Sequence, residues 1–452
     1  MRIKLDIPMS VGEIATAVGG ICELKLRNKI INYITTDTGE LSYGDLFVAL
    51  KGKKYDANDF TDKAEKIGAI SLTQRRGKGY VTVTKSDEAL MLLASYYKGF
   101  FTNLKHTVAV TGSVGKSTTK EFLSVIASTH LCVHKSEGNH NNNIGLPLSI
   151  LSAKRDCEIM VLEMGMNAEG EIKRLSECAM ADIGIITNIG TSHIGNLGSR
   201  ENIARAKLEL KSAQSISAII VPKDEKLLYN APKKHTFSTT DITANTAVIG
   251  KENGSVEIYF DGKHAFSSHL EPKGEHFIKC LAPAVAAARL INMDFGDIKT
   301  GISQISDINI RQKLISAKNF YILDDSYNAS YESISADLSL LESLNTYAAR
   351  SALLGTVFEL GEHAAEMHYR IGRRAAEAHL DRLYLFGDYS HDMKRGAING
   401  GMSSERIFVN TELSAPEITA EEILRRSVHS EIILFKASNA VRLDRILKLI
   451  LA

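Results

Sequence analysis

Residues 107–128 read TVAVTGSVGKSTTKEFLSVIAS, and this stretch decides how the middle of the chain folds. It opens with an apolar run, passes through a turn with two glycines, and continues with apolar residues at the spacing of an amphipathic helix. A strand that enters a glycine turn and leaves as a helix is the pattern of a nucleotide-binding βα unit. We therefore predict a strand, a phosphate-binding loop and a helix in this order.

The predicted phosphate loop is shorter than the usual P-loop, which has four residues between its glycines. Its chemistry is the same, because glycines let backbone N–H groups surround phosphate oxygens, lysine adds a positive charge, and a serine hydroxyl can bind Mg²⁺. The alternative is a tight glycine turn with an exposed lysine, but the position between strand and helix favours nucleotide binding. The predicted nucleotide contacts are Thr111, Gly112, Ser113, Val114, Gly115, Lys116, Ser117 and Thr118.

Outward from this unit, apolar strands alternate with helical patterns on both sides. Such alternation predicts an α/β protein with mostly parallel sheets covered by helices. We predict three domains: a small N-terminal α/β domain over residues 1–103, a central P-loop ATPase-like parallel sheet over 104–309, and a C-terminal Rossmann-like doubly wound domain over 310–452. The predicted strands are 46–50, 80–84, 159–163, 183–189, 218–222, short strands within 234–270, 320–325, 352–355, 382–386, 407–409 and 432–435.

The composition excludes several classes of function. The 452 residues carry a formal net charge of +1, so no overall field would attract nucleic acid or an anionic membrane surface. No apolar run approaches the roughly 20 residues of a transmembrane helix, and the N-terminus lacks the apolar core of a signal peptide. The five cysteines are scattered and odd in number, which is typical of reduced thiols. We expect a cytoplasmic monomer with no nucleic acid partner and no membrane insertion.

Three further residues are candidates for the site, each with an ordinary alternative. Glu163 ends an apolar strand at the edge where open α/β sheets bind ligands, and it could reach Mg²⁺ held by Ser117; a capping or salt-bridged glutamate is equally compatible. His193 follows the strand 183–189, although a lone loop histidine is more often structural. Lys207 lies in a helical stretch and by itself reads as a solvated lysine.

Two polar clusters also follow apolar segments. Residues 138–147, GNHNNNIGLP, contain four asparagines, whose amides suit phosphate, carboxylate or sugar hydroxyls; a plain turn is the alternative. Residues 324–330, DDSYNAS, offer two acids and Asn328 for a ribose or an amine. A helix N-cap, with Asn328 or Ser330 as the capping residue, is the competing interpretation.

Taken in order, these motifs resemble the Mur ligase family over nearly the whole chain. Many ordered motifs are far more specific than any one of them. The stretches that carry the resemblance are TTDTGELSYGDLFVALKGKKYDANDF (35–60), TGSVGKS (111–117), GNHNNNIGLP (138–147), VLEMGMNAEGEI (161–172), NIGTSHIGNLGS (188–199), ARAKLEL (204–210), DDSYNAS (324–330), LLGTVFELGEHAAEMH (353–368) and FKASNAVRLDRI (435–446).

The resemblance implies a role for each candidate. Lys116, His193 and Lys207 would be catalytic, and two Mg²⁺ ions would be bound by Ser117, Glu163, His193 and Lys207. Lys207 falls on the lysine that family members carbamylate. Arg311 would contact ATP, while Asp325 and Asn328 would lie where the C-terminal domain closes over the nucleotide and the incoming amine.

The resemblance also implies the reaction. ATP would activate a carboxylate as an acyl phosphate, and an amine would then form an amide bond with release of phosphate. The expected substrates are UDP-N-acetylmuramoyl-tripeptide and the dipeptide D-alanyl-D-alanine, in peptidoglycan precursor synthesis. Four positions depart from the family pattern, which leaves open a divergent ligase with another carboxylate or amine, or a non-catalytic nucleotide-binding subunit. These positions are Gly39, Cys280, Thr356 and Asn439.

Overall fold

The computed structural model describes residues 2–52, 55–251, 253–271, 274–305 and 313–452. Within these ranges the chain forms three mixed α/β units, each built on its own sheet, so the predicted three-domain α/β fold is confirmed. We call the sheets N-terminal, central and C-terminal. Every helix in the described ranges is too short or too polar to span a membrane. Arg311 lies outside the described residues.

The N-terminal sheet is parallel except at one edge. Its order is β1-β2-β3-β4-β5, with β1 antiparallel to β2 and the remaining neighbours parallel. Helix α1 begins with a capping box between Ser10 and Glu13, in which each residue hydrogen-bonds the backbone of the other. The elements are β1 (Arg2–Ser10), α1 (Val11–Ala17), β2 (Ile30–Thr35), β3 (Leu46–Val48), α2 (Thr61–Ile67), β4 (Ile70–Thr73), β5 (Tyr80–Thr82) and α3 (Ser86–Lys98).

The central sheet holds the predicted phosphate loop. Its order is β14-β13-β12-β11-β10-β9-β6-β8-β7, parallel from β7 to β12 and antiparallel beyond. The elements are β6 (His106–Thr111), α4 (Lys116–Ser128), β7 (Val133–Lys135), α5 (Gly145–Leu151), β8 (Ile159–Glu163), α6 (Glu171–Ala179), β9 (Ile183–Ile186), α7 (Ile194–Leu197), α8 (Arg200–Lys207), β10 (Ala218–Pro222), β11 (Lys234–Ser238), β12 (Thr246–Gly250), β13 (Ser255–Phe260), β14 (Lys263–His269), α9 (Glu275–Leu290) and α10 (Phe295–Ser303).

The C-terminal sheet has the order β15-β16-β20-β17-β18-β19 and is parallel apart from β15. Both faces of this sheet are buried, and successive strand residues point to opposite faces: Leu434 packs into one hydrophobic core and Phe435 into the other. This is the doubly wound arrangement that the sequence predicted. The elements are β15 (Lys313–Ala317), β16 (Phe320–Asp324), α11 (Tyr331–Ser343), β17 (Ala349–Gly355), α12 (Ala364–Glu377), β18 (Arg382–Phe386), α13 (Ser390–Asn399), β19 (Ile407–Asn410), α14 (Pro416–Arg426), β20 (Glu431–Lys436) and α15 (Asp444–Leu451).

The central strands bring the candidate residues to one edge. β6 lies between β9 and β8, and the register pairs Val110 with Glu163 and Thr111 with Ile186. Because all three strands are parallel, the segments that leave them after Thr111, Glu163 and Ile186 start side by side. The phosphate loop therefore emerges between the other two segments, at the edge where open α/β sheets bind ligands.

Candidate active site

The phosphate loop needs its two glycines for different reasons. Gly112 has φ +150° and lies so close to Thr187 that a Cβ would overlap the Thr187 hydroxyl. Gly115 has φ +81° as the residue that precedes helix α4, a left-handed conformation that residues with a Cβ rarely adopt. The glycine turn predicted from the sequence is thus required by the backbone path.

The segment after β9 holds this loop in shape. The carbonyl of Val114 accepts hydrogen bonds from Thr187 Oγ1 at 2.6 Å and from Asn188 Nδ2 at 3.0 Å. In return, the N–H of Val114 donates to Asn188 Oδ1 at 3.1 Å, and the Ser113 hydroxyl accepts from the N–H of Gly190 at 2.9 Å. The loop conformation is therefore set before any nucleotide arrives. The sequence did not single out Thr187 or Asn188, although Asn188 is the first residue of the motif NIGTSHIGNLGS.

Lys116 and the start of α4 supply positive charge. Lys116 is half-buried, and its Nζ donates to the carbonyl of Gly112 at 2.9 Å, so the ammonium lies across the mouth of the loop. Helix α4 begins at Lys116, which places its first-turn N–H groups and the positive end of its dipole at the loop. Thr111 ends β6 with a buried hydroxyl, and Thr118 follows on the half-buried first turn. The arrangement suits a polyphosphate.

Ser117 and Glu163 meet directly. The Ser117 hydroxyl donates to Glu163 Oε2 at 2.6 Å, and Asn141 Nδ2 donates to Glu163 Oε1 at 2.9 Å. Glu163 is 1% exposed, and the Ser117 and Asn141 side chains that contact its carboxylate are both neutral. A buried carboxylate is costly unless a cation accompanies it, and hydroxyl and carboxylate oxygens are the ligands that Mg²⁺ prefers. These residues therefore fit a magnesium ion. Asn141 gives the asparagine cluster a specific role.

Lys207 is buried rather than solvated. Lys207 is the last residue of α8 and has 1% of its surface exposed, so the interpretation of this residue as a solvated lysine is wrong. Burial, with a further contribution from the nearby charge of Lys116, holds the pKa of Lys207 well below its usual range. No carboxylate lies within ion-pair distance of its Nζ in the described ranges. A buried amine with a lowered pKa is a nucleophile near neutral pH.

His193 faces the C-terminal domain. It lies in a segment that we call the interdomain loop (residues 190–197, which include the short helix α7). Its φ is +66°, and its Nδ1 is 2.5 Å from Glu359 Oε2. The interaction with His193 lowers the pKa of Glu359. Glu332 accepts hydrogen bonds from the N–H and hydroxyl of Thr191, at 2.7 and 3.2 Å. The sequence did not indicate Glu332 or Glu359, since only the placement of two domains brings them to this loop.

The two C-terminal candidates, Asp325 and Asn328, differ in burial. Asp325 is buried and pairs with Lys436, which also lies 2.8 Å from Asp337. Burial raises the pKa of Asp325 to about 6. Asn328 is exposed, and Ser330 caps α11, as one of the two interpretations of this motif predicted. The structure therefore ties Asp325 to the sheet and leaves Asn328 at the surface; their predicted contacts with ligands stay predictions.

The four departures from the family pattern differ in burial. Gly39 and Asn439 are exposed, so changes there alter what a ligand would meet without disturbing a core. Cys280 is buried beneath the loop, close to Gly115, and burial raises the pKa of its thiol to about 12, which keeps it protonated. Thr356 is fully buried at the end of β17, with its side chain against Gly387. No group of three or more His, Cys, Asp or Glu side chains forms a metal cluster among the described residues.

Comparison with known proteins decides the family. Residues 110–288 match the family model described as the Mur ligase middle domain. Over 452 aligned residues the chain is 32% identical to the UDP-N-acetylmuramoyl-tripeptide–D-alanyl-D-alanine ligase of Bacillus subtilis (strain 168), with 98% of both chains covered. The chain belongs to the Mur ligase family. The resemblance inferred from the ordered motifs is thereby confirmed.

Solved structures of this family have the same fold. A crystal structure of MurF from Acinetobacter baumannii superposes with a TM-score of 0.88 at 26% identity, covering 99% of both chains. The MurF ligase of Thermotoga maritima in complex with ADP superposes with a TM-score of 0.77 at 28% identity, over 92% of this chain and 96% of that one. As a Mur ligase, the chain is an ATP-dependent, ADP-forming peptide ligase, which confirms the predicted enzyme class.

Proposed function

We propose that this Mur ligase joins D-alanyl-D-alanine to UDP-N-acetylmuramoyl-tripeptide in peptidoglycan precursor synthesis. One observation carries the proposal: the similarity to the Bacillus subtilis ligase extends over 98% of both chains. It therefore includes the N-terminal and C-terminal sheets, which flank the ATP-binding part, and not the central sheet alone. A cytoplasmic monomer that acts on small molecules is part of the same proposal.

Each predicted domain has one task in this proposal. Residues 1–103 would bind the uridine nucleotide, 104–309 would bind ATP, and 310–452 would close over ATP and the incoming dipeptide. The contacts of Thr191 and His193 with Glu332 and Glu359 support the last assignment, because they join the central and C-terminal parts next to the phosphate loop. Closure there would shield a reactive intermediate from water.

The first chemical step is phosphoryl transfer. A carboxylate oxygen of the tripeptide attacks the γ-phosphorus of ATP, the bond from that phosphorus to the bridging oxygen breaks, and ADP leaves with the bond electrons. The loop N–H groups and Lys116 hold the phosphates and offset the charge of two anions that must approach each other. Their geometry is set in advance by Thr187 and Asn188, so little reorganisation accompanies the step.

Ser117, Glu163, His193 and Lys207 are the proposed metal-binding residues. Mg²⁺ bound there would neutralise phosphate charge as it develops. Ser117 and Glu163 would share the first ion, and His193 would reach the second. The Lys207 amine would add to CO₂ with loss of one proton, which makes a carbamate with carboxylate-like oxygens. The burial of Lys207, with no carboxylate of the described residues within ion-pair distance, supports this step.

The second step is aminolysis. The amine of D-alanyl-D-alanine attacks the carbonyl carbon of the acyl phosphate, phosphate leaves, and a proton is lost from nitrogen as the amide forms. Asp325 and Asn328 are proposed to face the nucleotide and the dipeptide, together with Arg311. Asp325 is held in place by Lys436, and the exposed Asn328 lies on the segment that follows β16.

Phosphate release from ATP, with each substrate omitted in turn, tests the proposal. We expect release only when UDP-N-acetylmuramoyl-tripeptide and D-alanyl-D-alanine are both present, together with a product whose mass equals their sum less one water. Release that requires a different carboxylate or amine would assign the chain to the divergent ligases. No release with any pair, despite ATP binding, would favour a non-catalytic nucleotide-binding subunit.

A further inference from the structure

Lys120 is a buried lysine that the mechanism above does not use. It lies on α4, one turn after Lys116, and 2% of its surface is exposed. A buried ammonium group is unfavourable unless hydrogen bonds and charges around it compensate. Its Nζ donates to the carbonyl of Ser136 at 2.6 Å and lies 3.2 Å from Glu121 Oε1. The Lys120 ammonium group is therefore stabilised by the Ser136 carbonyl and the Glu121 carboxylate.

Ser136 connects Lys120 to Glu163. Ser136 follows β7, is 1% exposed, and donates its N–H to the carbonyl of Val161 at 3.1 Å. Its hydroxyl accepts a hydrogen bond from the N–H of Glu163 at 3.1 Å. One serine thus receives the lysine on its carbonyl and the glutamate on its side chain. All three of its polar groups are used inside the protein.

Helix α4 consequently reaches Glu163 by two routes. Ser117 donates to the carboxylate directly, and Lys120 acts on the backbone of the same residue through Ser136. Ser117 and Lys120 are three residues apart, so they lie on the same face of the helix. One route sets where the carboxylate points, and the other sets where its main chain lies.

We propose that Lys120 is a positioning residue for the metal-binding carboxylate of Glu163. The inference rests on the proposed role of Glu163 as a magnesium ligand. Groups that hold a metal ligand in place typically change metal affinity or activity by about 10- to 100-fold when they are removed. A purely structural lysine would instead affect folding stability and leave the magnesium requirement unchanged.

The test measures the Mg²⁺ concentration that half-saturates the enhancement of ADP binding, by calorimetric titration of the full chain. We expect Lys120→Met to raise this concentration about 10-fold and to leave the affinity for ADP in EDTA unchanged. Lys135→Met is the matched control. Lys135 also pairs with Glu121, but it is partly exposed, and among the described residues its ammonium group makes no hydrogen bond to Ser136. The control should keep the parental magnesium requirement.

Ser136→Ala provides a second variant in case Lys120→Met does not fold. It removes only the hydroxyl that accepts from Glu163, and it should raise the magnesium requirement by about 3-fold, less than removal of the lysine. A parental requirement in the folded Lys120→Met variant, or in Ser136→Ala if that alone folds, would overturn the inference.

Glu163→Gln distinguishes a failure of the positioning role of Lys120 from a failure of the metal-binding role of Glu163. If Glu163→Gln raises the magnesium requirement and Lys120→Met does not, the positioning role fails and the metal role stands. If Glu163→Gln keeps the parental requirement, the metal role of Glu163 fails and the inference fails with it. An increase in both variants, with Lys135→Met unchanged, is the result that we predict.

Discussion

The phosphate loop and the interdomain loop both carry predicted site residues, but they are held in different ways. The phosphate loop is fixed within the central domain, where Thr187 and Asn188 occupy the carbonyl and N–H of Val114. The interdomain loop contacts both domains: Gly190 donates to Ser113 of the phosphate loop, and Thr191 and His193 contact Glu332 and Glu359 of the C-terminal domain. The contacts of the phosphate loop lie within the central domain, whereas the interdomain loop also depends on where the C-terminal domain is placed.

Because the two loops are held differently, nucleotide binding and amide formation should depend on different parts of the protein. The phosphate loop that would hold the phosphates of ATP is built from central-domain residues, so nucleotide binding should depend less on the domain contact than amide formation does. Aminolysis needs the C-terminal domain in place, because an acyl phosphate that is open to water would be hydrolysed. Variants of the two loops should therefore separate nucleotide binding from amide formation.

The largest effect is expected at the phosphate loop. Lys116→Met removes the charge that faces the transferred phosphoryl group, and ADP formation should fall by about 100-fold or more. Initial rates measured with both substrates at saturation would show this, and an unchanged melting temperature would show that the fold is intact. Full activity in the variant would contradict the role of the loop.

Lys207→Met should uncouple activity from stability. We expect a loss of activity of about 100-fold, because the variant cannot form a carbamate. Thermal unfolding should show equal or greater stability, since an apolar side chain replaces a buried amine that has no carboxylate of the described residues within ion-pair distance. Signal from ¹³C-bicarbonate bound to the parent chain, absent in the variant, would identify the carbamate. A strongly destabilised variant would instead assign Lys207 a structural role.

Gly195→Ala should open the domain contact. A Cβ at Gly195 would overlap the backbone N of Gly361, so the interdomain loop and the segment around Gly361 must separate. Overpacking of this kind costs about 1–3 kcal/mol, and amide formation should fall about 10-fold, with a smaller decrease in ADP affinity. Gly296→Ala in α10 is the control, because no atom lies within 4 Å of its added Cβ. A decrease in ADP affinity as large as the decrease in amide formation would contradict the separation of nucleotide binding from amide formation.

Glu332→Gln should have the smallest effect of this series. The amide still accepts a hydrogen bond from Thr191, but the charge that strengthens it is lost, at a cost of about 1 kcal/mol. We expect about a five-fold decrease in amide formation that is less marked at high salt, where the parent interaction is already screened. Equal rates for both proteins at low salt would remove Glu332 from the domain contact.

The sequence predicted the phosphate loop better than the interdomain loop, because the first depends on local signals and the second on contacts between domains. Strand Ile159–Glu163 has the predicted bounds because a continuous apolar run ends at a charge, and the cap at Ser330 is likewise a local signal. The burial of Lys207 was not predictable, because a lysine between Arg205 and Glu209 in a helical stretch is ordinarily exposed to solvent. Glu332 and Glu359 lie on other elements of another domain, and nothing near them in the chain indicates the contact.

The central claim, that ATP activates a carboxylate at the phosphate loop, is tested most directly with isotopically labelled substrate. Both carboxylate oxygens of the tripeptide would be labelled with ¹⁸O, and the phosphate and nucleotide products analysed by mass spectrometry after one turnover. An acyl phosphate transfers one labelled oxygen to phosphate and leaves the other in the new amide. We predict one ¹⁸O in each phosphate released and none in ADP; unlabelled phosphate, or label in a nucleotide product, would contradict the account.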